Sequence, residues 1–257
     1  MLASILKKIS VYIALLIFWQ LCYWIFVDVL KVWKFYSFPE PAGVFKSFLL
    51  ALHDGTLSQA LYISLQRILT GYGISLAAGV AAGLLLSRSK FLYEGLNGLI
   101  LGLQTLPNIC WLPFAILWFG LGEGSILFVI IIGSVFSVSI AVSSGIRNIN
   151  PVYVKAGRNL GARGMKLFRY VIIPAALPSF LTGMKQGWSF AWRGLIAGEM
   201  ISASMGLGQM LMAGRELADI NLITAVMIVI IAVGVIVEKF CFGILEARMH
   251  TVRGLSQ

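Results

Sequence analysis

The stretch Lys155-Ala156-Gly157-Arg158-Asn159-Leu160-Gly161-Ala162, followed by Val171-Ile172-Ile173-Pro174-Ala175-Ala176-Leu177-Pro178, decides how this chain is read. It predicts a short helix, a glycine break, a second short helix and a proline-marked return into apolar sequence. The wider segment 147–170 carries six basic residues (Arg147, Lys155, Arg158, Arg163, Lys166, Arg169) and no acid. Long apolar segments flank it on both sides, so it reads as an extramembrane connection between two spans.

Composition agrees. The 257 residues are 59% hydrophobic and only 12% charged, with a mean hydropathy of +0.92. A water-soluble domain with so little polar surface could not cover itself, so the class is an all-α integral membrane protein. The formal charge of +10 does not indicate nucleic acid, because the cations cluster between apolar segments and no recognition helix or aromatic RNA-binding signature accompanies them. Cys22, Cys110 and Cys241 are far apart within apolar runs, and His53 and His250 stand near segment ends, which gives no metal-ligand spacing. Lys7 and Lys8 precede an apolar run over 9–30 that is too long for a signal sequence, and no small-x-small cleavage site follows, so a retained helix is expected.

Six spans of about 20 apolar residues are expected, near 9–29, 64–86, 95–119, 125–145, 174–199 and 222–244. With the N-terminus inside, the inner connections receive Lys7, Lys8, Arg88, Lys90, the six cations of 147–170, Lys239, Arg248 and Arg253; the outer ones receive only Lys31, Lys34, Lys46 and Arg215. That asymmetry places both termini inside. The expected organisation is a peripheral span plus an outer amphipathic helix over 1–62, a core over 63–246 with the inner loop 146–173, and a short inner tail over 247–257. The outer helix starts at Pro39 and Pro41, carries Val44, Phe45, Phe48, Leu49 and Leu52 at helical spacing, and ends before Gly55.

Within the spans, Gly71, Ser75, Gly79 and Gly83 form a stripe of small residues suited to close helix packing. Pro107 and Pro113, with Gln104 and Asn108 nearby, interrupt the third span and require a protein-lined or water-lined environment. Thr182, Gln186, Ser189 and Arg193 fall on one face of the fifth, with Lys185 to one side and Trp188, Trp192 and Glu199 on a neighbouring stripe. An arginine at bilayer depth costs about 2.5–3.5 kcal/mol on insertion scales. Two readings follow. Thr182, Gln186, Ser189 and Arg193, with Gln104 and Asn108, line a solute path; or Arg193 pairs with Glu199 or reaches the outer interface while Lys185 reaches inward. Arg193, Lys185 and the two tryptophans lean toward a small anion.

No phosphate-cradling GxxxxGK[ST], GxSxG or HExxH occurs, and no carboxylates pair on a helix face. A membrane enzyme is therefore disfavoured. A stand-alone channel or secondary transporter is the alternative, against which stands the absence of an inverted repeat or matched broken helices.

The chain resembles the membrane-spanning permease subunit of bacterial ABC importers, in the branch handling nitrate, sulfonates, taurine, bicarbonate and pyrimidine-type vitamin precursors. The resemblance is carried by Phe38-Pro39-Glu40-Pro41, by Ser64-Leu65-Gln66-Arg67-Ile68-Leu69-Thr70-Gly71-Tyr72, by the basic loop with Pro174-Ala175-Ala176-Leu177-Pro178, and by Gly198-Glu199-Met200-Ile201 with Gly206-Leu207-Gly208. It implies a type I importer permease fold in the bacterial inner membrane and a coupling role for Lys155, Ala156, Gly157, Leu160, Gly161, Leu167 and Phe168. It further implies a second copy of the permease, a pair of ATP-binding cassette ATPases carrying ATP and magnesium, and an extracytoplasmic solute-binding protein; this chain itself would hold no cofactor. The family's loop motif begins Glu-Ala-Ala, whereas this chain has Lys155-Ala156-Gly157; the glycine expected four residues after the second alanine is Gly161.

Overall fold

The computed structural model describes residues 2–34, 36–202 and 204–252. Arg253 lies outside these, as do the side chains of Lys8 and His250.

The helices follow in chain order. They are α1 (Leu2–Tyr23, widening into a π turn at Trp24–Val29), α2 (Pro41–His53), α3 (Thr56–Arg88), α4 (Lys90–Thr105), α5 (Leu112–Phe119), α6 (Glu123–Arg147), α7 (Pro151–Asn159), α8 (Gly164–Leu167), α9 (Ile173–Ile201), α10 (Leu207–Glu216), α11 (Ile220–Ile236) and α12 (Gly243–Val252). Among the described residues five helical stretches are long and apolar enough to cross a membrane, or six if α4 and the segment Asn108–Phe119, bent by 101° at their junction, make one span. The third expected span is therefore not a straight helix. Pro107 and Pro113 withhold backbone donors at the bend, and a short 3-10 turn at Asn108–Trp111 bridges it.

A departure from the sequence reading lies at Pro174. The sequence predicts a short helix and then a separate span, but Gly164–Ile201 is one 38-residue helical stretch. A π turn at Phe168–Ile172 precedes the proline. The wider turn relieves the clash between the ring and the preceding carbonyls, so the helix continues where a regular one would break.

The chain forms two compact units, Met1–Tyr62 with Met205–Ile231, and Ile63–Ser204 with Ala232–Gln257. In the first, Pro41 opens α2 at a position where a missing N–H is harmless. Trp19 Nε1 donates to the Pro39 carbonyl at 3.0 Å, and the Glu40 N–H donates to Asn221 Oδ1 at 3.0 Å. Gly55, at φ +81°, turns the chain out of α2 in the left-handed region that favours glycine.

In the second unit α6 is the shared helix, and small residues let two neighbours approach it. From α3, Gly71 stands against Ile130, Gly79 against Val138 and Gly83 against Val142; between them Ser134 Oγ donates to Ser75 Oγ at 2.6 Å. The constant offset means that the two helices run parallel. From α9, Gly198 meets Ile126, Gly194 meets Val129, Gly187 meets Val138 and Gly183 meets Ala141, an antiparallel order. Close backbone approach of this kind supplies the dispersion contacts that hold helices together in lipid, where apolar burial gives little drive.

Candidate functional site

Three groups of polar residues stand out in the second unit. The first is a buried charged cluster joining α3, α6 and α9. Glu199 is fully buried and Arg67 is 5% exposed, whereas Glu123 is 60% exposed. Arg67 Nη1 donates to Glu199 at 2.8 Å, and its Nε donates to Glu123 at 2.9 Å. Its Nη2 also donates to Glu123. Ser64 Oγ lies 2.8 Å from both oxygens of Glu199. A planar guanidinium can satisfy two carboxylates at once, which a lysine could not do with the same geometry. Sequence reasoning missed this role of Arg67. The available signal was an arginine three residues after Ser64 inside an apolar span.

The second group is the polar face of α9. Thr182, Gln186 and Arg193 are exposed and Ser189 is half-buried. Arg193 Nη2 donates to Ser189 Oγ at 2.9 Å and its guanidinium lies over the Phe190 ring, 5.7 Å from the centroid, while Glu199 is held by Arg67. Thr182 donates back to the Pro178 carbonyl. Lys185 pairs with Glu238 at 3.2 Å and Glu246 at 3.7 Å. Trp188 and Trp192 are buried, 7% and 8% exposed, with Trp188 edge-on to Tyr72. Of the groups that leaned toward an anion, Lys185 is thus neutralised and the tryptophans are core. Asn108 donates to the Phe190 carbonyl at 2.6 Å and fills the space beside Gly133 and Gly194. It seats the bent segment against α9. Gln104 is half-buried at the end of α4.

The third group is the arch between α6 and α9. Asn150 caps α7 by accepting from the Val152 N–H. At the other end Gly161 has φ +84°; its N–H donates to the Arg158 carbonyl and the Ala162 N–H to the Gly157 carbonyl. This is a Schellman-type stop, which a left-handed glycine makes without steric strain. Gly157 is buried, and a Cβ there would come within 2.8 Å of Val171 and 3.0 Å of Leu167. The residues given a coupling role differ in exposure. Leu167 is buried and Phe168 half-buried, whereas Ala156 is exposed and Leu160 is 88% exposed. Lys155 is also exposed. Among the described residues no group of three or more His, Cys, Asp or Glu could hold a metal ion.

The fold is that of ABC-importer permeases. The chain superposes on an amino acid ABC transporter (TM-score 0.64, 16% identity, 77% of this chain and 96% of the other) and on the MetNI methionine ABC transporter (TM-score 0.59, 18% identity, 79% and 97%). Residues 73–251 match the binding-protein-dependent transport system inner membrane component family, and the chain belongs to it. Relatives include a protein of Escherichia coli (strain K12) provisionally named an aliphatic sulfonates transport permease protein, 31% identical over 81% of this chain and 82% of its own length. The taurine transport system permease protein of the same strain is 30% identical over 72% and 67%. The nitrate import permease protein of Synechocystis sp. is 28% identical over 73% and 68%. The chain is a transmembrane ABC-importer permease subunit, a multi-pass membrane component of a non-catalytic family.

Proposed function

We propose that this subunit carries a small organic or inorganic anion, of the sulfonate or nitrate type, inward across the cytoplasmic membrane, with both termini inside. Two copies form the pathway, an ATPase pair docks on the arch over 147–170, and an extracytoplasmic binding protein delivers solute. The observation that carries the coupling role is the exposed Leu160 at the Gly161 stop, followed by one continuous helix. A 38-residue helix is about 57 Å long at 1.5 Å per residue. Force applied at the arch would travel along it to Glu199 within one helical stretch, past Pro178 in its first half. Lys155, Ala156, Gly157, Leu160 and Gly161 form the contact and stop of this lever; Leu167 and Phe168 anchor it.

The polar face of α9 supports the pathway reading. Thr182, Gln186, Ser189 and Arg193 would be poorly placed against lipid. The contacts of Arg193 are neutral, the Ser189 hydroxyl and the Phe190 ring, so its charge would be available to solute. Gln104 and Asn108 stand at the bend, with Asn108 in a positioning role.

The test is a double change, Gly161→Pro with Leu160→Asp. The expected outcome is a chain that inserts normally and no longer co-purifies with its ATPase. Intact co-purification would remove the docking role from the arch.

A further inference from the structure

The arch presents an unusual charge pattern. Between Glu123 and Glu199 the sequence contains no acid. Arg147 stacks on Tyr93, its guanidinium carbon 4.0 Å from the ring centroid. Lys155, Arg158, Arg163, Lys166 and Arg169 are all exposed. At about 100° per residue, Lys155 and Asn159 point away from buried Gly157, with Arg158 on one flank. The contact surface of α7 is therefore cationic, and its conformation is fixed by the Asn150 cap, the Gly161 stop and the close seat of Gly157.

We propose that the ATPase surface receiving this arch is acidic, with carboxylates facing Lys155 and Arg158. The proposal rests on the docking reading above and adds the chemistry of the partner. Exposed cations beside an apolar Leu160 match a socket with an apolar centre and an anionic rim. A fixed constellation, held from both ends, suits a protein socket better than a fluid layer of anionic headgroups, which needs no such order.

The experiment places the full chain in nanodiscs of purely zwitterionic lipid, and separately of mixed anionic lipid. Binding of the ATPase subunit purified from the native complex is then titrated. Wild type is compared with K155E/R158E and with K155R/R158K, at several salt concentrations. Reversing two exposed charges is expected to weaken binding roughly tenfold at about physiological salt, in both lipids. The conservative variant should bind as wild type, and wild-type affinity should fall as salt rises. Equal affinity of the reversed variant, or a loss seen only with anionic lipid, overturns the acidic socket while leaving docking intact. Failure of wild type to bind the ATPase at all overturns the docking reading and this inference with it.

Discussion

The buried cluster around Arg67 and the arch around Lys155 use charge in opposite ways. At the first, a guanidinium and a fully buried carboxylate meet within one chain, so their charges organise the fold. At the second, five exposed cations have no acid in the same stretch of sequence. Charge satisfied internally fixes the relative positions of helices; charge left outward is available to a partner. The face of α9 lies between these extremes, since Arg193 rests on neutral groups, the Ser189 hydroxyl and the Phe190 ring.

Breaking the internal cluster should cost most. Arg67→Leu leaves Glu199 buried without its guanidinium and should destabilise the chain by about 3–5 kcal/mol. Adding Glu199→Leu should recover a large part of that loss, because the stranded charge is then gone. Thermal unfolding in detergent, followed by the yield of monodisperse protein, measures both; an additive loss would show that the two side chains do not act as a pair.

Next in size is the glycine packing. Gly79→Val places a side chain where a Cβ already comes within 2.7 Å of Val138 and should cost about 1–3 kcal/mol through overpacking. Gly73→Val, on the same helix with open space around it, provides the control. Equal losses at the two positions would argue that helix propensity, and not contact with α6, sets the effect.

Arg193→Leu should leave ATPase co-purification unchanged and lower solute uptake by about tenfold, the effect of losing one charge-assisted contact of roughly 1.4 kcal/mol. Unchanged uptake and affinity would remove Arg193 from the pathway.

The subtlest change concerns Asp54. The Thr56 hydroxyl, and then the Thr56 N–H, hold its carboxyl below the usual aspartate range. A lowered pKa means that the ionised form is the one favoured by folding. This contribution is present above the ordinary aspartate pKa and is lost as pH falls through the lowered value. Hydrogen exchange at the Thr56 amide should accelerate, relative to its intrinsic rate, only at that acid end. Protection that is indifferent to pH would show that the carboxylate does not hold the turn.

Much of this fold was legible in the sequence because lipid imposes simple rules. Apolar length announced the membrane-crossing helices, small residues at every fourth position announced the α3 seam, and Gly161 announced the stop after α7. Two features were not legible. Pro174 signals a break by itself, and only a widened turn, which has no strong sequence signature, lets the helix continue. The cluster at Arg67 was hidden because its partners lie 56 and 132 residues away. Periodicity within one helix cannot report such a pairing.

Transport in sealed vesicles containing the purified chain, with and without its ATPase, bears on the coupling role itself. With the ATPase and ATP present, solute delivered by the binding protein should accumulate and stimulate ATP hydrolysis, and the chain alone should do neither. Solute accumulation in vesicles that contain this chain but no ATPase would show that the pathway opens without a motor, and the lever role of the arch would fall.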